Sequence, residues 1–173
     1  MLRLFVLPVL LASLTACGAQ KAPLIVTVAG LPDGSPIPAR YGEDDGDTSP
    51  AMNWTGAPAE TRAVAILVED PDAPGGTFVH WVAFDLPPSA GVKEGLPKAP
   101  ELPSGGQQGV NDFGRLGWNG PAPPPGKVHH YRFTVYALSS PTGLGAGADA
   151  SAFRAALKGR VLAEGHWTGT YRR

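Results

Sequence analysis

Apolar residues in this chain fall into short runs that stop at proline, glycine or acid. The clearest run is Ala63-Val64-Ala65-Ile66-Leu67-Val68, bracketed by Arg62 and Glu69. Its length and β-branched content predict a strand buried on both faces. Phe78 to Leu86 predicts the next strand. A strict period of two puts His80, Val82, Phe84 and Leu86 on one face, and Trp81, Ala83 and Asp85 on the other. Pro87-Pro88 stops this run, because proline cannot donate to a ladder. Tyr131 to Leu138 alternates again, with Tyr131, Phe133, Val135 and Ala137 sharing a face with His129 if the strand begins that early. Leu24 to Val28 predicts a first strand and His166 to Tyr171 a last one.

Only one segment carries a clear helical period. Asp149 can cap a helix predicted over about residues 150–163. Phe153, Leu157 and Val161 fall at i, i+4 and i+8 and form one buried stripe. Gly159 lies inside and weakens the helix by about 1 kcal/mol relative to alanine. The preceding stretch, Pro141 to Ala148, contains Gly143, Gly145 and Gly147, but they miss the G-x-G-x-x-G spacing of a phosphate loop. With many strands, one late helix and no βαβ alternation, the pattern reads as one mainly β domain.

Two connections are long. Pro32 to Pro50 holds four prolines and the acidic cluster Glu43-Asp44-Asp45 with Asp47. It reads as a solvated loop; oxygen ligands are plentiful enough for calcium, but the spacing is not that of an EF-hand. Ser89 to Gly109 is rich in glycine, proline and lysine without a sustained period, and reads as a surface excursion.

Composition narrows the class. The 173 residues are 43% hydrophobic and 17% charged, with a formal net charge of −1, which favours a globular domain over disorder. No long basic run supports nucleic-acid binding. The start of the chain differs from the rest. Arg3 precedes the apolar run Leu4 to Leu14, too short to span a bilayer comfortably but suited to a secretory signal. Leu14-Thr15-Ala16-Cys17 resembles a bacterial lipobox. The expected organisation is a lipoprotein signal peptide over 1–16, a tether over 17–23 and one domain over 24–173, with Cys17 carrying the lipid. Cys17 is the only cysteine, so no intramolecular disulfide can form. Gly18 after it, rather than aspartate, resembles lipoproteins sorted to the outer membrane. The expected location is the bacterial cell envelope, lipid-anchored and facing the periplasm.

The candidate chemistry sits where apolar runs end, in Val68-Glu69-Asp70-Pro71-Asp72-Ala73-Pro74, in His80-Trp81, and in Gly120-Pro121-Ala122-Pro123-Pro124 leading to His129-His130-Tyr131. A carboxylate beside an imidazole fixes the ring by accepting one N–H and favours the charged form, leaving the other N–H for an anion. Asp70 is expected to orient rather than touch that anion. His80 and His129 are the expected donors, and Tyr131 adds a hydroxyl. Pro71, Pro74, Pro123 and Pro124 stiffen the backbone around the mouth. Plainer roles compete: Asp70 can start a turn, and His80 can be a satisfied core histidine. Asp72 suits the turn better than a ligand, and His130 points away from His129. Trp54, Trp81, Trp118 and Trp167 suit core or pocket wall. No G-x-S-x-G elbow supplies a nucleophile. Asp70, His80 and His129 could supply three ligands to a catalytic zinc, but no His-x-x-x-His or His-x-His spacing supports it. No cofactor or metal is expected.

Over about residues 24–173 these motifs, in order, resemble the phosphatidylethanolamine-binding protein family, in its bacterial Raf kinase inhibitor-like branch. Ser49-Pro50-Ala51-Met52-Asn53-Trp54 is similar to its early element, and Asp70-Pro71-Asp72-Ala73-Pro74 to its signature. His80-Trp81, Asn111-Asp112-Phe113-Gly114 and Gly120-Pro121 follow in their places. His130 stands where the family often has arginine, and Trp118-Asn119 where a tyrosine-glycine pair is common. The resemblance implies a β-sandwich with one late C-terminal helix. It also implies a small anion pocket lined by Asp70, His80 and His129. Pro123 and Tyr131 are expected to complete the ligand-binding set. The expected function is non-catalytic binding of a small phosphate-bearing ligand or phospholipid head group. The alternatives are a protein inhibitor acting on an extracytoplasmic protease through Ser89 to Gly109, and a metal-dependent hydrolase.

Overall fold

The computed structural model describes residues 23–89 and 91–173. The expected signal peptide, Cys17 and the tether up to residue 22 lie outside the described residues. Among the described residues, seven strands form two antiparallel sheets. The smaller pairs β1 (Ile25–Val28) with β2 (Met52–Thr55). The larger has the order β5-β4-β3-β6-β7, built from β3 (Ala63–Asp70), β4 (Phe78–Leu86), β5 (Gln107–Gln108), β6 (Val128–Leu138) and β7 (Val161–Arg172). One helix, α1 (Ala150–Leu157), covers the far face of the larger sheet. The architecture is the expected mainly β sandwich with one late helix.

β3 explains the layering. Val64, Ile66 and Val68 face the core between the sheets, with Val26, Met52 and Trp54 of the small sheet. Ala63, Ala65 and Leu67 face a second core, with Phe153 and Leu157 of α1. Both faces of this strand are dry, so an unbroken apolar run is what its position demands. Aromatic rings fill the first core. Trp118 stacks on Phe133 with ring centroids 5.8 Å apart, and Phe133 meets Trp167 edge-on at 5.2 Å. Such pairs contribute about 0.5–1.5 kcal/mol each beyond burial.

Three expectations need correction. The helix ends at Leu157 rather than near residue 163. Gly159 takes a left-handed φ of +73° and turns the chain out of the helix, a conformation that glycine adopts without steric cost. Val161 therefore opens β7, is exposed, and leaves the stripe to Phe153 and Leu157. Asp149 does cap α1, accepting from Ala152 N at 2.8 Å.

The simple alternation of β4 also fails. Trp81, Ala83 and Leu86 share the first core, while Val79, Val82 and Phe84 share the second. The β3–β4 register slips twice, between Val64 and Ile66 and between Val68 and Glu69. At the first slip Asp85 adopts a φ of +59°, its carboxylate accepting from the Thr142 N–H and hydroxyl. Each inserted residue reverses the faces beyond it.

Ser89 to Gly109 is not a free excursion. Val92 and Leu102 are buried in the first core. Gln108 accepts from Trp81 Nε1 and donates to the carbonyls of Pro97 and Ala99. Deleting this segment would remove part of the core.

Candidate functional site

β3 lies between β4 and β6 in an antiparallel sheet. The end of β3 therefore meets the beginnings of its two neighbours. Asp70 closes β3, His80 opens β4, and His129 opens β6. A second device aims His80. Val68 pairs with Trp81 and Glu69 with Val79, leaving His80 as the extra residue of a bulge. The bulge re-aims the ring, which packs edge-on against Tyr131 at 5.1 Å, a residue of the first core.

The two imidazoles are held differently. His129 Nδ1 donates to Asp70 Oδ2 at 2.7 Å, and both side chains are almost wholly buried. Asp70 Oδ1 accepts from the Asp72 N–H at 2.8 Å, a side-chain turn that shapes the chain after β3. Asp70 thus takes both roles weighed for it, orienting a histidine and starting a turn. His80 Nδ1 meets the carbonyl oxygens of Asn119 at 2.8 Å and Gly120 at 3.1 Å. Carbonyls only accept, so Nδ1 carries the proton. Burial pushes the His80 pKa below its ordinary value, against the carbonyl of Asn119 and the negative charge of Asp70. The neutral ring so fixed presents an Nε2 lone pair. The expectation that a neighbouring carboxylate makes His80 a donor needs correction: the carboxylate backs His129, and peptide carbonyls back His80. Neither Nε2 has a protein partner among the described residues.

Both rings line one cavity of about 210 Å³, together with Asp70, Ala73, Pro74, Phe78, Phe113, Ala122, Pro123 and Pro124. Its wall is mostly apolar, with polar groups concentrated at the two imidazoles. The volume is below the range of about 300–1,000 Å³ usual for drug-sized ligands. Pro123 is in the wall, as expected. Tyr131 is not; it is buried behind His80, and its hydroxyl has no hydrogen-bond partner among the described residues. Burial, and then the charge of Asp70, push that hydroxyl pKa far up, so it stays protonated. Asp72 accepts from the His130 backbone N–H at 2.8 Å and from its ring Nδ1 at 2.7 Å. That exposed pair lies outside the cavity lining and ties the turn after β3 to β6. Described peptide bonds, including those at the cavity prolines, are trans.

Several contributors were named from the sequence only within motifs or clusters, without a role of their own. Asn111 organises the wall loop: its amide donates to the Gly117 carbonyl and to Asn119 Oδ1, and its oxygen accepts from the Phe113 and Arg115 N–H groups. Gly120 is required because a Cβ there would lie 2.0 Å from the Tyr41 carbonyl oxygen. Asp47 Oδ1 accepts from the Gly120 N–H at 2.8 Å, and its Oδ2 from the Asn119 side chain at 3.2 Å and from Lys98. The acidic loop is otherwise pinned as well, Glu43 to Arg115, Asp44 to Arg173 and Asp45 to the Tyr171 hydroxyl. The loop is solvated as expected, with Asp44 and Asp45 exposed, and its carboxylates also tie it to the rest of the fold. Among the described residues no group of three or more His, Cys, Asp or Glu is arranged to hold a metal ion.

Residues 28–172 match the sequence profile of the family described as phosphatidylethanolamine-binding protein. The chain belongs to this family. Similar proteins come from both archaea and bacteria. A UPF0098 protein of Methanothermobacter thermautotrophicus is 45% identical over 138 residues, 79% of this chain and 91% of that one. A Mycobacterium tuberculosis protein named "Putative lipoprotein LppC" is 35% identical over 153 residues, 85% of this chain and 73% of that one. The crystal structure of Escherichia coli YbcL, described as a new member of the mammalian family, superposes with a TM-score of 0.81 at 30% identity, covering 88% of this chain and 99% of that one.

Proposed function

We propose that this chain is a non-catalytic binder of a small phosphate-bearing ligand, such as a free phosphate ester or a phospholipid head group, and that it works tethered to the cell envelope. One observation carries the binding reading: two imidazoles from different strands reach a single small apolar-walled cavity, each with Nδ1 tied to the fold and Nε2 unpartnered. His129, with a carboxylate behind it, offers a positive N–H when protonated. His80, when neutral, offers a lone pair. A singly protonated phosphate suits this pair, one oxygen accepting from His129 and its P–OH donating to His80. A full dianion would need a proton on His80 first. The apolar wall suits a short carbon chain beside the anion, not a whole lipid.

The envelope tether is supported by the Leu14-Thr15-Ala16-Cys17 pattern and by the lipoprotein name of the mycobacterial relative. Lipid on Cys17 would be the attachment; among the described residues no helix is long and apolar enough to cross a membrane. Anchoring to the outer membrane, facing the periplasm, is the finer part of the proposal. Calorimetric titration with inorganic phosphate and with phosphoethanolamine tests the binding reading. Saturable uptake by the wild type, weakened at least about tenfold in His129→Ala, a loss of roughly 1.4 kcal/mol, is expected. No uptake of either probe at millimolar concentration would reject it.

A further inference from the structure

We propose that Asp47 is a positioning residue for His80, acting through the single peptide group that joins Asn119 to Gly120. The N–H of that group, on Gly120, donates to Asp47 Oδ1 at 2.8 Å. Its carbonyl, on Asn119, accepts from His80 Nδ1 at 2.8 Å. The carboxylate and the imidazole thus grip opposite ends of one planar amide. Hydrogen bonds in series polarise one another. A negative group on the N–H draws electron density toward the carbonyl oxygen, strengthens its hold on Nδ1–H, and makes protonation of Nε2 easier. His129 has a carboxylate directly behind it; His80 has one a peptide group away.

The surroundings leave little freedom for this arrangement. Asp47 adopts a left-handed φ of +48°, which aspartate tolerates better than most residues. Its Oδ2 is shared between the Asn119 side-chain amide and Lys98. The Asn119 backbone N–H returns to the His80 carbonyl at 3.1 Å, so the strap is fastened to β4 as well. Gly120 has no room for a side chain beside the Tyr41 carbonyl. The same strap continues into Ala122, Pro123 and Pro124 of the cavity wall. Asp47 comes from the loop before β2 and Lys98 from the segment before β5, so two otherwise remote connections set the electronic state of one ring. The other charged or titratable groups facing His80 are Asp70 at the end of β3, His129 and Tyr131 on β6, and Asp112, whose carboxylate holds the Val79 N–H.

The consequence for ligand uptake rests on the proposed binding function, but the ring can be read without any ligand. In Asp47→Asn the amide oxygen can still accept from the Gly120 N–H, which keeps that end of the strap, while the charge is gone and the NH2 group leaves Lys98 and the Asn119 side chain without their shared acceptor. In Lys98→Met the carboxylate stays and loses its counter-charge. Histidine side-chain NMR across pH measures the protonation constant of each ring in both variants. Asp47→Asn should lower that of His80 about two- to fivefold and shift its Nδ1–H signal upfield; Lys98→Met should raise it. His129 should be unmoved in both. A purely structural role gives no such opposition of sign, so an unchanged His80, or the same direction in both variants, overturns the proposal. If Asp47→Asn does not fold, Lys98→Met decides alone: a rise supports the proposal, and no change or a fall overturns it. Opposite responses in a protein that takes up no inorganic phosphate would leave this inference standing and reject only the binding function.

Discussion

Asp70→Asn isolates the chemistry behind His129, because it keeps the shape of the side chain and removes one acceptor. Asp70 faces two donors, the Asp72 N–H at 2.8 Å and His129 Nδ1 at 2.7 Å. A carboxylate has an oxygen for each; an amide has one oxygen and one NH2 group. If the amide oxygen keeps the Asp72 N–H, its NH2 confronts Nδ1, and the ring must move its proton to Nε2. A charge-assisted bond of about 1.5–3 kcal/mol becomes a neutral one of about 0.5–1.5 kcal/mol, so the loss of stability is about 1–2 kcal/mol. Burial of both side chains removes the screening that would blunt this effect at the surface. The doubly protonated ring is disfavoured too, since its Nδ1–H would then point at the NH2 group. Denaturant unfolding gives the stability, and nitrogen-15 shifts of the ring give the tautomer. The expected result is a folded protein, destabilised within that range, with His129 inverted to the Nε2–H form and phosphate held about tenfold more weakly, about 1.4 kcal/mol. Retention of the Nδ1–H form with unchanged stability would refute the assignment of Asp70 as its partner.

Other consequences are equally direct. Because the pKa of His80 is lowered in the fold, the unfolded chain binds more protons between that lowered value and about pH 6.5, so stability falls as pH drops through this window and levels off below it. His80→Gln should remove a slope of up to about 1.4 kcal/mol per pH unit there; thermal unfolding from pH 7.5 to 4.5 checks it, and parallel curves for the two proteins would contradict it. Gly120→Ala puts a Cβ 2.0 Å from the Tyr41 carbonyl and should cost about 1–3 kcal/mol while displacing the carbonyls that hold His80; a denaturation midpoint equal to wild type would show that the strap has slack. His130→Ala breaks an exposed pair with Asp72 and should cost no more than about 1 kcal/mol, measured the same way.

The sequence made some parts of this molecule legible and hid others, for physical reasons. β3 could be read because a strand buried on both faces needs apolar residues throughout, and Ala63 to Val68 supply them. β6 could be read because Tyr131, Phe133, Val135 and Ala137 keep an unbroken period against β3 and β7. β4 could not be aimed from its period, since nothing in the letters marks where a bulge adds a residue. The extra residue is His80 itself, so the error fell on the site. The end of α1 was missed because Gly159 serves equally as a weak interior residue or as a stop, and only the chain beyond it decides.

Chemistry followed the same division. A carboxylate and an imidazole advertise themselves, so the pairing of Asp70 with a histidine could be anticipated, though not that the histidine would be His129 alone. The partner of His80 is a pair of peptide carbonyls, a group every residue carries, and nothing in the letters Asn119-Gly120 announces it. Asp47 was concealed among Glu43, Asp44 and Asp45, where composition says only that the loop is acidic. The family pattern supplied the neighbourhood of the site; the backbone supplied its polarity.

The most direct test follows the His80 and His129 ring signals together while inorganic phosphate is added near neutral pH. Both rings should shift along one saturation curve, with Tyr136, Phe153 and the other aromatic signals of the second core still. Rings that respond at different phosphate concentrations, or that do not respond at all, would contradict a single shared anion site.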